Sequence, residues 1–281
     1  MRQPHTWNLP RISIDLGART AIMGILNVTP NSFSDGGLYF QHEQAVARGN
    51  EIEQQGADIL DIGGESTRPG GEPVSEEEEI RRVIPVIDTL APILKIPISV
   101  DTYRAGVAKR AIEAGAQIVN DISGLRFDPL LAELIGSTRA AVVVMHSRGS
   151  RSEIHAQPPT PDSVQMVIEG LEQSLDVALR AGIAQGAIMI DPGIGFSKDA
   201  ATSFKVLKNL SVFSKLRYPL LVGTSRKSFI RAITNDSPES RLMGTAASVA
   251  VAIVGGAHVV RVHDVPELRI VADLTDRILM A

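Results

Sequence analysis

Eight polar side chains recur along the chain, each at or just beyond the end of a short apolar run: Asn27, Asp61, Asp101, Asn120, His146, Asp191, Lys227 and His263. The clearest case is the apolar run 187–190, closed by Asp191 and then by Pro192, Gly193 and Gly195. Proline and glycine end a strand and let the backbone turn tightly. A carboxylate on the tip of a buried strand is costly unless something pairs with it. Any one such residue is ordinarily a turn or a helix cap; eight that converge are not.

These groups sort into two chemistries. Asp101, Asn120, Asp191 and Lys227 are fixed donors and acceptors suited to the edge of a polar heterocycle. Arg261, His263 and Asn27 suit an anionic, phosphate-bearing group, with a metal. Lys227 stands at a helix start, where a cation is electrostatically disfavoured, which points to a nearby anion or ligand.

The elements that must position these groups follow a cycle. Core strands are expected at 21–26, 58–62, 97–100, 117–119, 141–144, 187–190, 219–222 and 257–262, each apolar throughout. Helical spacing is expected near 43–55, 80–90, 104–113, 129–135, 164–178, 200–210, 241–254 and 267–280. Ser75 with Glu78 forms a capping box before the second helix. Pro85 should kink that helix or mark a boundary. Parallel strands buried under crossover helices read as unbroken apolar runs. Eight such units make an α/β fold, the (β/α)₈ barrel, whose sites lie at the C-terminal strand ends. Ahead of it, alternation at 11–16 predicts a short β-hairpin within residues 1–19. No linker-like shift in composition divides the chain, so 1–281 is expected to be one domain.

Composition narrows the function. The chain has 281 residues, no cysteine, 44% hydrophobic content and a net charge of −4. No disulfide framework is possible. A mildly acidic chain without a basic block does not fit nucleic-acid binding. No apolar run approaches the length of a membrane span, and the first ten residues lack a signal pattern. The expectation is a soluble, cytoplasmic protein.

The motifs then carry a resemblance. NVTPNSFSDGG at 27–37, DIGGESTRPG at 61–70, SVDT at 99–102, NDISG at 120–124, DPGIGF at 191–196, SRKSF at 225–229 and RVHD at 261–264 occur in order. In these the chain closely resembles the dihydropteroate synthases of the folate pathway, from residue 22 to residue 263. The resemblance implies that the amine of 4-aminobenzoate replaces pyrophosphate on 6-hydroxymethyl-7,8-dihydropterin diphosphate. It implies that Asp101, Asn120, Asp191 and Lys227 hold the pterin, with Met145 beneath it. Asn27 helps to hold Mg²⁺, and Arg261 and His263 hold the diphosphate. Phe33, Thr67, Arg68, Phe196 and Ser228 shape the aminobenzoate pocket. Asp101, Lys227, Arg261 and His263 are the expected catalytic set, and a homodimer through the last helices is implied. The chain departs from the usual pattern at Asn31, Ser147, Ile194 and Ser197.

Three rivals remain. A pterin-dependent methyltransferase shares such a barrel, but STRP at 66–69 and SRK at 225–227 speak against it. A Schiff-base aldolase would carry its lysine on a strand rather than beyond one, as Lys227 lies. A paralogue that binds pterin without turnover is separated only by assay.

The glycine- and serine-rich stretches 31–37 and 65–71 are expected to be disordered in the free protein and to close over ligand. Amide hydrogen exchange in both should slow on adding pterin and pyrophosphate. Equal protection with and without ligand would show that they do not close.

Overall fold

The apolar runs become strands, and the stretches between them become helices that bury one face. The structure is a computed structural model that describes residues 2–29, 38–66, 71, 73–154, 157–158, 160, 162–234 and 237–281, with side chains of the first helix described from residue 42. Two short strands, β1 (His5–Asn8) and β2 (Ser13–Leu16), precede β3 (Ala21–Asn27) and α1 (Leu38–Gln54). There follow β4 (Ile59–Gly63), α2 (Glu76–Leu90), β5 (Ile98–Asp101), α3 (Ala105–Ala114), β6 (Ile118–Asp121), α4 (Leu130–Thr138) and β7 (Ala141–Met145). The chain continues through α5 (Ser163–Arg180), β8 (Ile188–Asp191), α6 (Ala200–Lys208), β9 (Leu221–Val222), α7 (Ser228–Arg231), α8 (Pro238–Val254), β10 (Val259–Val262) and α9 (Val265–Met280).

Strands β3 to β10 pair in parallel, each with its neighbour in the chain, and β10 returns to β3. The barrel closes between β8 and β9 through a single bridge, Ile190 with Leu220, where the Ile190 amide donates to the Pro219 carbonyl at 3.0 Å. Two residues further on stands Pro192, which has no N–H to extend that ladder. The expected (β/α)₈ barrel is therefore present, with one thin seam.

Local signals account for the helix boundaries. The Ser75 side chain accepts from the Glu78 amide, and four glutamates occupy the first turn of α2, where the helix dipole favours them. Helix α2 runs through Pro85 without a break, contrary to the kink or boundary expected there. What Pro85 removes is the N–H that would have reached the Arg81 carbonyl, and its own carbonyl accepts from the Thr89 hydroxyl at 2.9 Å. Helix α3 stops at Gly115, whose φ of 117° suits a residue without Cβ. Helix α1 starts at Leu38, five residues before the expected start.

The hairpin lies earlier than its alternation alone indicated, because 13–16 pairs antiparallel with 5–8. It covers the N-terminal end of the barrel. Trp7 is fully buried there, and its indole N–H donates to the Ala187 carbonyl at 3.0 Å. Truncating a buried aromatic costs about 3–5 kcal/mol. Trp7→Ala should lower stability in chemical denaturation by that amount and leave turnover per folded molecule unchanged. A loss near zero would show that the hairpin is no part of the core.

Candidate active site

The opposite, C-terminal end of the barrel opens into a cavity of about 620 Å³. Asn27, Asp101, Asn120, Met145 and Asp191 reach it from five strand ends. Lys227 and His263 come from the loops after β9 and β10, and Arg261 from β10 itself.

The floor is organised by one guanidinium. Arg261 donates from Nε to Asp61 Oδ2 at 2.6 Å and from Nη2 to Asp101 Oδ2 at 2.6 Å. Asn120 Nδ2 donates to the same Asp61 oxygen at 3.1 Å. Burial pushes Asp101 up to about 7, opposed by Arg261 and reinforced by the second carboxylate, Asp61. Asp61 itself is fully buried and does not line the cavity. Its register explains this: Asp61 lies beside Ser99, whereas Asp101 lies beside Gly63, two residues nearer the mouth. Asp61 is thus a prop beneath the floor rather than one of the tips at the rim. The two chemistries expected to be separate, heterocycle-holding and anion-holding, meet in the contact between Asp101 and Arg261.

The opposite wall is built by the turn after β8. Asp191 Oδ1 accepts from the Gly193 amide at 2.7 Å, and burial raises this carboxyl to about 6. Gly193 has φ 66°, and a Cβ there would lie 2.1 Å from the His146 carbonyl oxygen. Only glycine fits both demands. Lys227 Nζ stands 3.6 Å from the centre of the Phe196 ring, a cation–π contact that faces its charge along the wall. His263 Nδ1 lies 2.9 Å from Ser225 Oγ, so the loops after β9 and β10 hold each other.

Other expected residues fall elsewhere. His146 is turned away from the cavity and buried behind the Asp191 turn, against Gly170 of α5. Ser228 is exposed at the start of α7 and does not line the cavity. Phe33, Thr67 and Arg68 lie outside the described residues. The hydroxyl of Thr102, next to Asp101, accepts from the Arg104 amide at 3.2 Å and bonds to the Glu79 carboxylate rather than to Asp101. Ser197 adopts a left-handed backbone, φ 52°. Its hydroxyl offsets the strain by contacts to the carbonyls of Arg148 at 3.1 Å and Ile154 at 3.0 Å.

Two clusters went unread in the sequence. At the rim, the buried Glu65 carboxylate accepts from Arg151 at 2.7 Å, Arg104 at 2.9 Å and Tyr103 at 3.1 Å, joining the loops after β4, β5 and β7. Behind the wall, Lys198 is buried, although a lysine before a capping aspartate ordinarily points to solvent. No local signal distinguishes it.

Comparison with known proteins agrees with this geometry. Residues 23–263 match the family of pterin-binding enzymes. The dihydropteroate synthase of Bacillus subtilis is 45% identical over 93% of this chain and 89% of its own length. The Xanthomonas albilineans dihydropteroate synthase, solved with 4-aminobenzoic acid, superposes with a TM-score of 0.92 at 38% identity, covering 99% of this chain and 100% of that one. The enzyme from Clostridium difficile, solved in the presence of pteroic acid, gives 0.89 at 44% identity over 94% of this chain and 98% of its own. A cavity that pairs buried acids with an inward-facing cation, on a barrel shared over nearly its whole length with these synthases, leaves one assignment: the chain belongs to the pterin-binding enzymes and, among them, to the dihydropteroate synthases.

Proposed function

We propose that the cavity carries out the dihydropteroate synthase reaction, holding the pterin between its two walls and the diphosphate beside Arg261. In that reaction the amine nitrogen of 4-aminobenzoate bonds to the methylene carbon of the pterin diphosphate. The CH₂–O bond breaks, pyrophosphate departs and the amine sheds one proton. Asp101, Asn120, Asp191 and Lys227 hold the pterin by its polar edge, over Met145. Arg261, His263 and Asn27 receive the diphosphate. Phe196 walls the aminobenzoate side, with Phe33, Thr67, Arg68 and Ser228 assigned to that ligand by resemblance alone.

The observation that carries this reading is the 2.6 Å contact between Asp101 and Arg261. As the C–O bond lengthens, positive charge grows on the methylene and negative charge on the leaving oxygen. A fixed carboxylate beside a fixed guanidinium is complementary to that separation and needs no rearrangement to meet it.

Magnesium fits the donor set. Asn27 offers an amide oxygen at the cavity, and the described residues contain no group of three or more His, Cys, Asp or Glu that could hold an ion alone. Mg²⁺ keeps several waters and binds through one or two protein oxygens together with substrate phosphates. Asn27 would hold it there, where it neutralises charge on the departing diphosphate.

A homodimer is supported by the outer faces of α8 and α9, where Met243, Val254, Ile270, Leu274 and Ile278 are exposed. An apolar patch on two packed helices, repeated by two-fold symmetry, is self-complementary. A cytoplasmic location agrees with the small polar substrates and with the lack, among the described residues, of a helix able to cross a membrane.

Single-turnover pyrophosphate release tests the assignment. Wild-type release should require both substrates; release from neither would leave a pterin binder without turnover. Asp101→Asn should fold, keep pterin binding through Asn120, Asp191 and Lys227, and slow release by about 10²–10³-fold. Release at the wild-type rate would remove Asp101 from the chemistry.

The raised carboxyls give a second check. A carboxyl held above its ordinary value keeps its proton until the pH passes the raised value. The anionic form that accepts pterin N–H groups therefore fills in as pH rises, through about 6 for Asp191 and about 7 for Asp101. Carbon NMR of labelled carboxylates in the ligand-free protein should follow both transitions, and pterin affinity should rise from pH 5 to pH 8. Midpoints in the ordinary carboxylate range would contradict the environment described for these two residues.

A further inference from the structure

Behind the wall that carries Asp191 lies a buried lysine to which the reaction above gives no task. Lys198 Nζ is 3.0 Å from the Gly193 carbonyl, 3.0 Å from the Phe196 carbonyl and 3.0 Å from His146 Nδ1, with the His146 carbonyl at 3.3 Å. Burial pulls the Lys198 amine down to about 7, and below that pH it is an ammonium, with three N–H groups and no acceptor. The three contacts at 3.0 Å use all of them, and the ring can take its share only with Nδ1 unprotonated. Burial, aided by the neighbouring Lys198 charge, pulls His146 down to about 2, so the imidazole is neutral and serves as the acceptor. Gly170 makes room for the ring, since a Cβ there would come within 2.5 Å of His146 Cδ2.

What the ammonium grips is specific. Gly193 is the residue whose amide donates to Asp191 Oδ1 at 2.7 Å. Phe196 supplies the ring 3.6 Å from Lys227 Nζ. The far end of the same turn is secured without Lys198. The Ser197 amide donates to the Ile154 carbonyl at 2.7 Å, and Asp199 caps α6 by accepting from the Thr202 amide at 2.7 Å. A lysine buried at this cost, where the chain is already anchored, acts on the part of the turn that faces the ligand.

We propose that Lys198, backed by His146, is a positioning residue for the pterin. It fixes the turn from Gly193 to Phe196 and thereby sets the Asp191 carboxylate and the Lys227 ammonium at the spacing of the pterin edge. This rests on the dihydropteroate synthase reading.

Isothermal titration of Lys198→Met with 6-hydroxymethylpterin, and separately with Mg²⁺ and inorganic pyrophosphate, tests it. The wild type comes first: no saturable pterin binding by it would overturn the pterin assignment of the cavity itself. With that binding in hand, Lys198→Met should bind pterin at least about tenfold more weakly at unchanged stoichiometry, the loss expected for one weakened hydrogen bond to a charged group. Pyrophosphate affinity should stay within about twofold, because Arg261 stands on β10 and His263 in the loop after it, outside this turn. A pterin Kd equal to wild type, with only a lower melting temperature or a smaller binding-competent fraction, would make Lys198 a plain fold anchor. An equal loss for both ligands would likewise overturn the proposal. If Lys198→Met does not fold, His146→Leu, which removes the ring acceptor and keeps the ammonium, should weaken pterin in the same direction; an unchanged Kd would overturn it.

Discussion

One positive charge serves two buried carboxylates, and the geometry of the mouth depends on it. Desolvating an ion in a protein interior costs several kcal/mol, by order of magnitude, and only good geometry returns that cost. Arg261 meets the condition by splitting its fork between Asp61, which lies beneath the floor, and Asp101, which lies at it. Those residues and Asn120 come from β4, β5, β6 and β10. A slip of any of these strands by one residue would turn its polar group to the other face and strand the guanidinium. The pairing thus fixes register as well as charge. It also makes Asp101 a stationary group, which is what complementarity to a separating ion pair demands.

The far wall is rigid for a different reason. There the backbone does the shaping: Gly193 and Gly195 hold φ of 66° and 78°, and the carbonyls of Gly193 and Phe196 are collected behind the wall by the buried Lys198. A wall made of peptide groups tolerates few substitutions at its glycines and more at its exposed side chains. Ser197 shows the limit, since its left-handed backbone is kept by a hydroxyl with two carbonyl partners. The ligand cavity therefore lies between a wall held by ionic pairing and one held by amide geometry.

The barrel and most of its rim were legible in the chain, because the strands are largely apolar and are followed by turn formers. Depth was not legible. Asp61 and Asp101 end similar runs, yet the pairing of Asp61 beside Ser99 puts one carboxylate below the floor and leaves the other on it. The direction of a side chain beyond its strand was equally hidden. His146 follows β7 as Asp191 ends β8, but the turn of the chain carries it behind the wall. Lys198 could not be found by pattern, since its three acceptors come from two separate loops. The partner strand of the hairpin was missed because the burial of Trp7 depends on Ala187, far away in the chain.

The seam between β8 and β9 has a consequence of its own. Its ladder ends early because Pro192 offers no N–H, so the barrel hoop is narrowest in hydrogen bonds at this point. Asp191 tops one side of the gap, and Lys227 follows from the other. A heterocycle that bonds to both is a rivet across the split in the hoop. Occupancy and hoop closure then share one degree of freedom. A ligand bonded to Asp191 and Lys227, as proposed, would tie the hoop where its own backbone ties it least.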